Sequence, residues 1–127
     1  MLYWIDNNRE VKEIPKIRKG FFYQRYNRLS ENEIELIKDY INSLIDSVIE
    51  NNKYVFVPGQ HVPKTWENTP LDVIWSKACN KDTTASALWF GLITMQIIID
   101  RDEICRATKI NYNNNDIART TYFLSNC

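Results

Sequence analysis

The run Ala85–Ile99, ASALWFGLITMQIII, decides the fold, because it is apolar on nearly every side and leads into two segments that read as either helix or strand. Its 15 residues favour a helix, since strands usually run to about 5 or 6 residues. The succession Ile97, Ile98, Ile99 pulls the other way, because β-branched side chains suit a pleated surface. Length prevails, and a helix without a polar face belongs in an interior. Ser86, Gly91, Thr94 and Gln96 interrupt the run, which is also shorter than the roughly 20 residues a bilayer requires. It reads as a core element.

The two segments beyond Ile99 set the fold class. If Asp100–Thr108 continues as a short helix around Ile104, Cys105 and Ala107, and Asp116 caps another through Ile117, Thr121 and Leu124, the chain is mainly α, with about four to five helices. If 104–112 and 117–125 instead pair as strands across Asn113, Asn114, Asn115 and Asp116, all turn formers, the chain is α+β. Two helices would then pack on a small antiparallel sheet. The mainly-α reading is the expectation and α+β its alternative.

Upstream, Ser30 and Glu33 stand three apart as a capping box, and Leu29 and Ile34 occupy the positions of a hydrophobic staple. From there Ile34, Ile37, Tyr40, Ile41, Leu44, Ile45, Val48 and Ile49 recur at three and four, predicting an amphipathic helix that ends near Asn51 and Asn52. Its outer face is acidic: Glu31, Glu33, Glu35, Asp39, Asp46 and Glu50 oppose a single Lys38. The segment PGQHVPKTWENTP, residues 58–70, carries three prolines, which exclude regular helix or a central strand. Thr69 as N-cap and Pro70 at the first helical position predict a helix over 70–79, burying Leu71, Ile74, Trp75, Ala78 and Cys79. Trp89 joins the expected core.

A chain of 127 residues with 44% apolar and 25% charged side chains and only three glycines and four prolines suits one ordinary globular domain, 1–127. Residues 1–29 read as a basic and aromatic N-terminal arm packed on that body. Tyr3, Trp4 and Ile5 would be costly to leave in water, so the terminus should dock on the body or on a second copy. The apolar start is five residues long, too short for a secretory signal, and the three cysteines, Cys79, Cys105 and Cys127, match neither a zinc knuckle nor a redox pair. A cytoplasmic location with reduced thiols is expected, with no membrane association.

Sixteen basic and sixteen acidic residues cancel, which excludes a whole-molecule polycation. The charges are nevertheless segregated: between Arg9 and Arg28 seven bases oppose Glu10 and Glu13, leaving that segment five positive and the remainder five negative. Arg18, Lys19, Tyr23 and Arg25 therefore make a candidate single-stranded nucleic-acid contact, combining phosphate neutralisation with base stacking. The same asymmetry balances charge within the molecule, or pairs copies head to tail.

His61 is the sole histidine, no serine lies in a nucleophile elbow, and no glycine-rich loop exists to cradle phosphate. A small enzyme or small-ligand site would have to use His61, Lys64, Trp66 and Glu67, which place base, cation, ring and acid within one loop. Trp66 serves equally as an anchor for that loop. No catalytic set, metal site or cofactor is assigned. By elimination, the expected function is that of a non-enzymatic binding or interaction module, contacting a protein partner or acting as a homodimer. Ligand binding or catalysis by the 61–67 loop and nucleic-acid binding through 16–28 are the alternatives.

Overall fold

The structure, a computed structural model, describes residues 1–51, 55–58, 65–101, 104–111 and 118–125. Helices hold more of these residues than strands, as a mainly-α chain should, and the antiparallel pair of the alternative reading is also present. In chain order come β1 (Leu2–Trp4), β2 (Glu10–Val11), α1 (Lys16–Tyr26), α2 (Glu31–Glu50), β3 (Val55–Phe56), a π-helical turn (Ile74–Ala78), α3 (Thr83–Asp100), β4 (Ile104–Asn111) and β5 (Ala118–Ser125).

The expected capping box is formed at α2. The Glu33 amide donates to Ser30 Oγ at 3.1 Å and the Ser30 amide donates to Glu33 Oε1 at 2.8 Å. The staple residues Leu29 and Ile34 are both buried, and Ile37, Ile41, Ile45 and Val48 continue the stripe into the core. At the other end the Asn51 amide donates to the Ser47 carbonyl and closes the helix.

The decisive run is α3. The Asp82 side chain accepts from the Ala85 amide at 2.9 Å, starting the helix two residues before the run itself. Its 18 residues, with a mean hydropathy of 1.3, are long and apolar enough to cross a membrane, and half of them are buried inside the fold. Trp89 is fully buried: its ring stacks on Phe22 at 5.4 Å and its indole N–H donates to the Phe22 carbonyl at 3.0 Å. One tryptophan thus ties α3 to α1 with both its apolar body and its single donor.

Residues 104–111 and 118–125 do not form the short helices that the mainly-α expectation placed around Ile104 and after Asp116; they are strands paired along eight positions. Alternation along them explains this outcome. Cys105, Ala107, Tyr122 and Leu124 are buried on one face, whereas Phe123 points outward, which is the two-residue period of a half-covered sheet. The sheet is larger than a hairpin, with order β2-β1-β4-β5-β3. Strand β1 runs parallel to β4, pairing Leu2 with Cys105 and Trp4 with Ala107. The N-terminal residues are therefore an interior strand with Leu2 buried, and the tight return to β2 places Asn8 in the left-handed region at φ 54°, which asparagine tolerates.

The helix expected over 70–79 becomes a π-turn, in which the Cys79 amide donates to the Ile74 carbonyl five residues back. The wider turn breaks the three-and-four stripe. Leu71, Ile74, Ala78 and Cys79 are buried as expected, but Trp75 is turned to the surface, 37% exposed, with the Lys81 ammonium 5.9 Å from its ring. Helices and sheet share one core cluster that extends from Leu2 through Phe22, Ile41 and Ile93 to Leu124.

Candidate interaction surface

Of the arm expected over residues 1–29, the first part supplies β1 and β2 of the sheet and the second forms α1, an eleven-residue helix that begins after Pro15 and ends at Asn27. Phe22 is the side chain it buries, with Phe21 and Tyr26 partly covered beside it. Two of its four basic groups are engaged within the chain. Lys19 pairs with Glu13 at 2.6 Å, and the Arg25 guanidinium lies 3.8 Å from the Phe21 ring centre and donates to the Phe21 carbonyl. Arg28 donates to the Ala78 carbonyl at 2.7 Å, holding the end of the π-turn. Two of the six acids of α2 find their cations elsewhere, Glu33 with Lys77 and Asp46 with Arg101. Arg18 and Tyr23 remain exposed. The four residues singled out on this segment thus split, two at the surface and two committed to local contacts.

The outward face of α1 is built from Lys16, Ile17, Gly20, Tyr23 and Gln24, all exposed or nearly so. Ile17 is 89% exposed and Tyr23 49%, the first being the most exposed large apolar side chain among the described residues. Gly20 lies between them at mid-helix, and a methyl group added there would meet nothing within 4 Å. Neither its backbone nor its neighbours among the described residues require a glycine, although glycine costs about 1 kcal/mol against alanine within a helix.

A second exposed surface, apolar where β5 meets β3, lies on the sheet. Register aligns Glu10, Tyr3, Arg106, Phe123 and Val55 across the five strands. Val55 and Phe123, paired neighbours, are 41% and 36% exposed.

Of the loop residues, His61 and Lys64 lie outside the described residues. Trp66 is half-buried against Phe90, ring centres 5.5 Å apart, and its carbonyl accepts from the Thr69 hydroxyl at 2.8 Å. Glu67 is exposed. Trp66 therefore anchors the end of the loop, and the described structure does not bring Trp66 and Glu67 onto a common partner.

Two further places have chemical content. A cleft of about 360 Å³ opens between β1, β2 and the end of α3, lined by Glu10, Lys12, Asp100 and Arg101; Arg101 is already held by Asn42 and Asp46. Cys79 is buried near Arg25, Arg28 and Ser86. Burial pushes its thiol above the ordinary range, against the smaller opposing pulls of the Ser86 hydroxyl and the two guanidinium groups. A thiol that stays protonated is a poor nucleophile. Among the described residues, no three His, Cys, Asp or Glu side chains gather as a metal site.

The sequence reading missed Ile17 and Gly20 as surface features because it took 16–28 by composition. Pro15 at the start and Asn27 at the end delimit a helix, and counting around that helix would have placed both residues outward. Comparison with protein-family models, curated proteins and solved structures gave no match to this chain.

Proposed function

We propose that this chain is a non-enzymatic, cytoplasmic interaction module that docks a protein partner or a second copy of itself on the outward face of α1. The observation that carries this reading is the coincidence of Ile17, almost wholly in water, with a mid-helix Gly20 that nothing among the described residues calls for. An exposed apolar knob costs solvation, and a glycine within a helix costs stability; close approach by another surface gives both a use. Protein is favoured over single-stranded nucleic acid because Lys19, Arg25 and Arg28 are spent on internal partners, leaving few cations for phosphates. The protonated Cys79 thiol and the anchoring role of Trp66 weigh against catalysis.

The test is to immobilise the native chain and an Ile17→Asp chain and to compare what each retains from the native host and from purified free chain. Retention by the native chain and loss by Ile17→Asp is expected. Equal retention by both would refute the assignment to α1. The row containing Phe123 and Val55 favours a second reading, with the partner on the sheet. In that case Phe123→Asp, and not Ile17→Asp, removes binding.

A further inference from the structure

We infer that the occupant of the α1 face is a second copy of this chain, contributing the outer face of its α2. Charge complementarity argues for it. Of the cations of α1, Lys16 and Arg18 are exposed while Lys19 and Arg25 are held within the chain, and the helix has no acid; on α2, Glu31, Glu35, Asp39 and Glu50 are exposed while Glu33 and Asp46 are paired. Two α1 helices would repel, while α1 against α2 attracts and steers.

The outer side of α2 also offers an exposed apolar side chain. On the outer side of α2, Asn32, Glu35, Leu36, Asp39 and Ser43 follow one another at helical spacing, and every one is exposed. Leu36, 48% exposed, stands among these polar neighbours as a large apolar side chain with no place in the core. It is the side chain that would rest on the open surface over Gly20. In the docked pair Leu36 of the second copy rests on Gly20 beside Ile17 and Tyr23, and Lys16 lies opposite Glu35 and Asp39.

An eleven-residue helix is about 16 Å long, so one such contact covers less than the roughly 800 Å² per partner of a stable interface. The association is therefore weak, dependent on concentration and weakened by salt.

This inference rests on α1 being the docking face, and the experiment separates the two. Sedimentation equilibrium at low salt compares the native chain with two charge-inverted chains, Lys16→Glu with Arg18→Glu, and Glu35→Lys with Asp39→Lys. All four positions are exposed, and circular dichroism verifies that each variant is folded. The native chain is expected to self-associate. Each inverted chain alone should weaken by about tenfold or more, and an equimolar mixture of the two should recover association. A native chain that stays monomeric at every attainable concentration overturns the inference, as does undiminished association of either variant or a mixture that stays apart. If the native chain is monomeric but a host protein binds it and not Ile17→Asp, the second copy is overturned and the α1 docking face stands. If Ile17→Asp changes neither, both fall.

Discussion

Thr94 is fully buried in α3, and its hydroxyl has no hydrogen-bond partner among the described residues. An unsatisfied buried hydroxyl bears its desolvation cost with nothing in return, so Thr94→Val should raise stability by about 1 kcal/mol in chemical denaturation. A loss of comparable size would mean that the hydroxyl has a partner in solution. Tyr122 is a second residue whose surroundings set a measurable property. Burial, assisted by the neighbouring Cys105, pushes its phenol far above the ordinary value near 10. The folded state therefore keeps the proton after the unfolded chain has released it, and the associated stability is intact below pH 10 and declines as pH rises beyond it. Tyr122→Phe should flatten the alkaline limb of a stability–pH curve while lowering neutral-pH stability only modestly. An unchanged alkaline limb would count against this account.

At the scale of elements, α2 was legible from sequence because everything that starts and orients it is local: the Ser30–Glu33 box, the Leu29–Ile34 staple and an unbroken stripe. Glu33 also receives the Lys77 ammonium at 2.7 Å, which, more than the Ser30 amide, holds its carboxyl below the ordinary value of 4.5. The sign is that of a depressed carboxylate: the contribution is present above pH 4.5 and is lost as pH falls through the lowered value. Glu33→Gln, which keeps an acceptor for the Ser30 amide, should give a shallower acid limb in the same curve; an identical limb in both chains would contradict it. The strands β4 and β5 were not legible in the same way. Their alternation competed with helical signals, and the choice is made by distant residues, since β1 at the chain's start pairs along β4. Trp75 was misplaced for a geometric reason. The turn holding it has a π period, and no residue within Ile74–Ala78 announces one.

At the scale of the molecule, overall neutrality hides two helices of opposite charge presented side by side in sequence. The segregation itself was readable from counting. Which cations stay free was not, because Lys19, Arg25 and Arg28 are claimed by Glu13, Phe21 and Ala78 only once the fold forms. The candidate surface was therefore partly visible: Tyr23 was identified, and Arg18 as an exposed cation on the same helix, whereas Ile17, Gly20 and Leu36 acquire meaning only on helices whose outer faces are known. The measurement closest to the claim is amide chemical-shift mapping of the native chain as its concentration is raised, with the same series for Ile17→Asp. Shifts clustering on Lys16–Asn27 and on the outer positions of α2, and vanishing in the variant, are predicted. Shifts that fall on the sheet row around Phe123, or that persist unchanged in Ile17→Asp, would contradict it.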